Sequence, residues 1–260
     1  MKIRDRIPVL SGRASWHRLA GALPLGYLVG VVGVGLAHPL LPSWRWLAVH
    51  LLLLGAASNA ILVWSAHFTT AVLRAPAPAS RRVEAARLML LNVGVLAVLV
   101  GGGADRPWIG VGGATAVFAA VAAHLGWLAH RLRTALPARF AITVRYYLAA
   151  ATALLTGVPV GAWMLVVDDA ARPRLLLFHA QVNLLGWVTL TVLGTLLTLW
   201  PTVLRTRMPA GAVAAAGTAL PVAVAGLWLV GTGTLAWWPP LAAGGLALLA
   251  TAALVTFRPA

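Results

Sequence analysis

The chain has 260 residues, of which 61% are hydrophobic, and it carries a formal net charge of +15 with a mean hydropathy of +0.90. Apolar runs recur along the whole length, which excludes a soluble domain with a single membrane anchor. The chain contains no cysteine, which excludes disulfides, thiolate metal sites, iron–sulfur clusters and covalent c-type haem. The basic residues lie between the apolar runs, as in membrane loops, so no nucleic-acid partner is expected.

Eight apolar segments are long enough to cross the lipid bilayer as helices. They predict an all-α fold, a polytopic integral membrane helical bundle that forms a single transmembrane domain over residues 1–260. The connections are short and rich in Pro, Gly and Arg, so neighbouring helices should be antiparallel. The predicted spans are Leu19–Leu40, Trp44–Leu73, Val83–Gly103, Trp108–Leu132, Ala141–Val167, Leu175–Trp200, Ala210–Val230 and Leu235–Phe257.

The distribution of basic residues predicts the orientation of the bundle. Of the 20 Lys and Arg residues, sixteen lie on one side of the predicted spans and four on the other, where Asp105, Asp168 and Asp169 accompany them. Cytoplasmic loops of membrane proteins are enriched in Lys and Arg, so both termini are predicted to be cytoplasmic, in a multi-pass protein of the bacterial cytoplasmic (plasma) membrane. The four basic residues on the outer side are Arg45, Arg106, Arg172 and Arg174.

Four of the seven histidines fall inside predicted spans. The alternation of the spans places His50 and His179 at a similar depth in the outer part, and His67 and His124 at a similar depth in the inner part. The other three, His17, His38 and His130, are expected at the wet membrane interfaces.

Histidines at matched depth on different helices are what a b-type haem requires, because its iron takes one axial ligand from each face of a flat macrocycle. The sequence therefore predicts a haem b site at His50 and His179, and a second candidate site at His67 and His124. On one α-helix, His67 points about 100° away from His50, which argues against a single cleft holding two haems. The alternative is that the histidines hydrogen bond to neighbouring helices and are structural.

Other polar residues fit a cofactor in the outer part. Asn183 lies one helical turn from His179, and Arg45, Arg172 and Arg174 lie at the outer mouth, where guanidinium groups could bind haem propionates. The same arginines fit an ordinary membrane interface. No Asp or Glu lies in the interior of a predicted span, which argues against an ion-coupled transporter. Histidine without carboxylate or thiolate partners favours haem or copper.

Two sequence runs resemble a known family. They are FHAQVNLLGWVTLTVLGTLLTLWPTVLRTR, with His179, Asn183, Gly186 and Trp187, and HLLLLGAASNAILVWSAHF, with His50, Asn59, Trp64 and His67. Both resemble the histidine-bearing helices of small membrane proteins related to haem–copper oxidase subunit I. The closest resemblance is to the module associated with actinobacterial multicopper oxidases and copper nitrite reductases. The NnrS haem-and-copper membrane proteins of nitric oxide metabolism are more distantly similar.

The chain also departs from that family. It lacks the paired-histidine motif and the histidine-to-tyrosine helix that bind copper in haem–copper oxidases, and Gln181 stands where many relatives have a second histidine. The resemblance therefore implies a low-spin haem at His50 and His179 rather than an oxygen-reducing binuclear centre, with copper less favoured than haem.

Three functions follow as expectations. The first is electron transfer by one haem b, or by two if the inner pair also binds haem, from quinol in the lipid bilayer to an outer-face copper oxidase or nitrite reductase. In that case the chain is an oxidoreductase component. The second is haem-based binding or sensing of nitric oxide or oxygen. The third is a non-enzymatic membrane component with structural histidines. The sequence does not indicate the oligomeric state.

Overall fold

The computed structural model describes residues 13–76, 80–167 and 170–257. Several residues used in the orientation prediction lie outside these ranges: Lys2, Arg4, Arg6, Asp168, Asp169 and Arg258.

The described residues form eight long apolar helices that could cross a membrane, so the protein is an all-α, polytopic helical bundle. Short connections join consecutive helices, which run antiparallel. The end of the bundle that carries Arg45, Arg106 and Arg172 is called the outer end below, after the orientation predicted from the sequence. The eight spans are formed by Arg13–Leu36, Trp44–Val72, Arg82–Gly103, Pro107–Thr134, Ala141–Val166, Arg172–Leu204, Ala212–Leu235 and Pro239–Phe257.

The predicted spans match these helices in number and order, but several ends differ. The first helix begins at Arg13 rather than Leu19, so its first turns carry polar residues that a hydropathy criterion leaves out. The sixth helix begins at Arg172 rather than Leu175, and the eighth begins at Pro239 rather than Leu235. Pro173 and Pro239 fit the first turn of a helix, where the missing N–H has no helical partner.

Two of the spans contain long π-helical segments. In the second span, the α-helix Trp44–His50 is followed by the π-helix Leu51–Ala57 and then by the α-helix Ser58–Val72. In the sixth span, the α-helix Arg172–Gln181 is followed by the π-helix Val182–Leu190. π-Helical turns widen the helix locally and occur frequently at functional sites. Here they directly follow the two segments that carry His50 and His179.

The helix packing repeats between the two halves of the chain. Gly94 of the third span lies so close to the fourth that an added Cβ would be 2.7 Å from the Gly113 carbonyl oxygen. Gly226 of the seventh span meets Gly245 of the eighth at the same 2.7 Å. Gly226 and Gly245 stand 132 positions after Gly94 and Gly113, respectively. A second pair of contacts repeats with the same offset: Gly101 with Gly110, and Gly233 with Ala242.

A polar network joins the first three spans near their middle. The side-chain amide of Asn92 donates to Asn59 Oδ1 at 2.8 Å, and that of Asn59 donates to Asn92 Oδ1 at 3.2 Å. The hydroxyl of Tyr27 also donates to Asn92 Oδ1, at 2.8 Å. Asn59 is completely buried. Because these groups satisfy each other away from water, the network stabilises the packing of the three helices.

Candidate functional site

The structure brings His50 and His179 together, although 129 residues separate them in the sequence. Their ring centroids are 6.4 Å apart, and the ring planes are inclined by 24°. Both side chains are partly buried and lie near the outer end of their spans. Two imidazoles from different helices therefore lie close to each other in the bundle.

Each of the two histidines is oriented by a hydrogen bond from Nδ1 to a backbone carbonyl oxygen. His50 Nδ1 lies 2.8 Å from the Trp46 carbonyl oxygen, and His179 Nδ1 lies 2.9 Å from that of Gly157. A carbonyl oxygen only accepts hydrogen bonds, so Nδ1 carries the proton in both rings and Nε2 keeps its lone pair. This is the tautomer in which Nε2 can bind a metal ion, and a hydrogen bond at Nδ1 is typical of histidine ligands.

The fifth span forms one wall of the site because it carries glycines where the sixth span approaches. A Cβ on Gly161 would be 2.7 Å from His179 Cε1, and one on Gly157 would collide with the Asn183 side chain. On the other side, the indole of Trp46 stacks on the His50 ring with centroids 4.0 Å apart. Both imidazoles are thus held in place by their surroundings.

Asn183 contacts His179 and has an unsatisfied oxygen. Its Nδ2 lies 3.2 Å from His179 Nε2 and 3.3 Å from Nδ1. Because Nδ1 already donates to Gly157, only Nε2 can accept from the amide. Asn183 Oδ1 is buried and has no hydrogen-bond partner in the described structure. This oxygen packs against Gly157, where an added Cβ would collide with it.

The arrangement fits haem iron better than an isolated metal ion. The ring centroids of His50 and His179 are 6.4 Å apart, so the two imidazoles lie close enough that both could hold one iron. No group of three or more His, Asp or Glu residues that could hold a metal ion occurs in the described ranges, and an ion bound only by protein usually needs at least three ligands. Haem supplies four of its own ligands and needs only two from the protein.

The three arginines predicted to bind propionates lie at the outer end but do not hydrogen bond to the histidine pair in the described structure. Arg45 lies over the Trp44 ring at 5.3 Å. Arg172 donates to the Met164 carbonyl oxygen at 2.9 Å, and Arg174 donates to that of Leu235 at 3.4 Å. Their part in the site stays a prediction.

The second predicted pair, His67 and His124, lies at the opposite end of the bundle. Both side chains line the same small cavity, but His124 is completely buried and both of its ring nitrogens have partners. Arg87 donates to His124 Nδ1 at 3.2 Å, so Nε2 carries the proton and donates to the Ser65 hydroxyl at 2.9 Å. Ligation of iron by Nε2 would therefore require this hydrogen-bonded chain to rearrange.

His17 was expected at the membrane interface before the first span, and in the structure it lies within the first helix. The helix already begins at Arg13, which places His17 against the second span, with its ring stacked on Trp64 at 5.6 Å and edge-on to His67 at 4.8 Å. Arg87 was also missed as a partner of His124, since it was counted only as a basic residue near the cytoplasmic side. Its position three residues after Glu84, inside a helix, was the available signal.

The chain was compared with protein families, with curated proteins and with solved structures. No family model, curated protein or solved structure matches it. The functional assignment therefore rests on the geometry described above.

Proposed function

We propose that the protein binds one haem b between His50 and His179 and transfers electrons within the membrane. The observation that supports this most strongly is the meeting of the two imidazoles, 6.4 Å apart, each with its Nδ1 hydrogen bonded to a backbone carbonyl. A structural histidine needs one hydrogen-bond partner, whereas a haem iron held by two histidines would need both side chains close together, as His50 and His179 are.

In this proposal the protein's own residues have distinct tasks. His50 and His179 hold the iron through Nε2, and the carbonyls of Trp46 and Gly157 keep both rings in the ligating tautomer. Gly161 leaves room for His179. When bound, haem b supplies a one-electron redox couple. Quinol in the lipid bilayer is the proposed electron donor, and a copper oxidase or nitrite reductase at the outer face is the proposed acceptor.

An optical spectrum of the purified protein tests the proposal. The protein is purified with haem available during expression, and its haem content is measured as the pyridine haemochrome. We expect about one haem per chain and, after reduction, the sharp bands of a six-coordinate low-spin haem. The absence of haem absorbance would leave the histidines with a structural role and overturn the proposal.

A second function is favoured by one observation, the contact between Asn183 Nδ2 and His179 Nε2 at 3.2 Å. If the Asn183 amide keeps its hydrogen bond to His179 Nε2, only His50 would hold the iron. The position left open could then bind nitric oxide or oxygen. Carbon monoxide distinguishes the two functions because it binds reduced five-coordinate haem readily. The Asn183→Ala variant sharpens the test, since losing the amide should convert a five-coordinate haem to a six-coordinate one.

A further inference from the structure

A small polar cavity lies at the inner end of the bundle, between the first four spans and far from the His50–His179 pair. Its volume is about 20 Å³. Cavities of roughly 10–15 Å³ or more are large enough for one small species such as a water molecule. The polar side chains that line it are those of His17, His67, Arg81, Glu84, Arg87 and His124.

Arg87 is the residue that determines the chemistry of this cavity. Arg87 lies within the third span and is only 7% exposed. One terminal nitrogen donates to His124, and the guanidinium lies over the Trp127 ring at 5.0 Å. Its Nε is buried and has no hydrogen-bond partner in the described part of the chain. A buried charged group with an unused donor is costly, and the free Nε can donate to a partner bound in the cavity.

The charges around the cavity do not balance. Glu84 supplies one negative charge, and its Oε2 accepts a hydrogen bond from Arg81 at 2.6 Å. Two guanidinium groups thus face one carboxylate, which leaves one positive charge in excess when the histidines are neutral. Water would satisfy the Arg87 Nε but would leave the excess positive charge uncompensated beside a buried guanidinium group.

We propose that this cavity binds one small monovalent anion of the halide class, with Arg87 Nε as the buried donor. A cation would be repelled by the two guanidinium groups, and a macrocycle or a quinol ring is larger than the cavity. The rings of Trp16 and Trp127 lie against the guanidinium groups of Arg81 and Arg87, at 5.7 and 5.0 Å. This site is independent of the proposed haem site.

Bromide is the probe for the test, because it replaces chloride and scatters X-rays anomalously. The full-length protein, purified in nanodiscs, is titrated with sodium bromide by isothermal calorimetry, with sodium gluconate keeping the ionic strength constant. We expect one bromide per chain, displaced by chloride, and an anomalous peak beside Arg87. Absence of bromide binding would overturn the proposal in favour of a bound water.

Two substitutions should change the affinity in opposite directions. Arg87→Gln removes the charge and should weaken bromide binding at least tenfold, because hydrogen bonds to charged groups contribute about 1.5–3 kcal/mol. Glu84→Gln removes the competing negative charge and should strengthen binding by a similar factor. If Arg87→Gln fails to fold, Glu84→Gln alone decides, since unchanged or weaker binding in that variant contradicts an anion site.

Arg131→Gln is the matched control. Arg131 also lies over the Trp127 ring, at 5.7 Å, but its guanidinium donates to the Pro76 carbonyl oxygen and does not line the cavity. Bromide affinity should therefore stay at the wild-type value in this variant. A loss equal to that of Arg87→Gln would indicate a general effect of surface charge and would overturn the assignment to the cavity.

Discussion

The indole N–H of Trp187 donates a hydrogen bond to the Ser58 hydroxyl at 3.0 Å, and both side chains are buried. Trp187 lies within the π-helix of the sixth span, and Ser58 directly follows the π-helix of the second span. The bond therefore connects the two widened segments that follow His50 and His179. It fixes the distance between the spans on which the proposed site depends.

Removing this connection should destabilise the protein. Trp187→Phe leaves the Ser58 hydroxyl without its donor and removes part of a buried ring, so we expect a loss of about 1–3 kcal/mol in unfolding free energy. Ser58→Ala, which leaves the indole N–H unpaired, should cost a similar amount. Denaturation of both single variants and the double variant in detergent gives the coupling energy, and additive losses would contradict a direct bond.

Haem content should depend on two histidines. His50→Ala and His179→Ala should each lose nearly all bound haem, because each removes one axial ligand. His38→Ala and His130→Ala are the controls, since both residues are exposed. The pyridine haemochrome measures the ratio of haem to protein in all four.

The same measurement counts the haems. A ratio near one that survives His67→Ala and His124→Ala would leave a single outer haem and exclude a chain of two haems across the membrane. A ratio near two that falls to one in these variants would establish the inner site, and the hydrogen bonds from Arg87 to His124 and from His124 to Ser65 would then have to rearrange.

The glycine contact between the third and fourth spans should tolerate no side chain. A Cβ at Gly94 would lie 2.7 Å from the Gly113 carbonyl oxygen and 2.8 Å from the Val117 amide nitrogen, so the helices must move apart. We expect Gly94→Ala to cost about 1–3 kcal/mol of stability, as overpacking does elsewhere. Gly112→Ala is the control because nothing lies within 4 Å of its added Cβ. Equal thermal stability of the two variants would contradict the close approach.

The Asn59–Asn92 network gives a further test of stability. Asn92→Leu leaves Asn59 Oδ1 and the Tyr27 hydroxyl without their partner, while Asn59 Nδ2 keeps its hydrogen bond to the Gly55 carbonyl oxygen, and we expect a cost of about 1–3 kcal/mol. Val93→Ala, at the next position, changes a side chain that is 57% exposed and should stay within about 0.5 kcal/mol. Urea or thermal unfolding in the same detergent compares the two variants.

The orientation can be tested with reporter fusions. Fusions after Pro78, Arg133 and Arg207 should behave as cytoplasmic, because these positions lie on the side enriched in Lys and Arg. A fusion after Arg174 should behave as external. If that last fusion were found inside the cell, the outer and inner ends described here would exchange.

The sequence predicted the eight spans well because each apolar run is long enough to cross a bilayer and is bounded by Pro, Gly or Arg. It also paired His50 with His179, since antiparallel spans place them at one depth. The π-helical segments were not predictable, because a uniformly apolar run carries no mark of a change in helical period. Nor was the Arg87–His124–Ser65 chain, which depends on how three different spans rotate against one another.

The repeated glycine contacts relate the histidine pair to the two halves of the chain. A unit of four antiparallel helices has both ends on one side of the membrane, so two such units joined in tandem have the same orientation. Each half of this chain contributes one of the paired histidines, from the second helix of its set of four. The two glycine contacts, Gly94–Gly113 and Gly226–Gly245, repeat with an offset of 132 residues. His50 and His179 therefore stand at similar, though not identical, places in the two sets, and the pair joins the halves of the bundle.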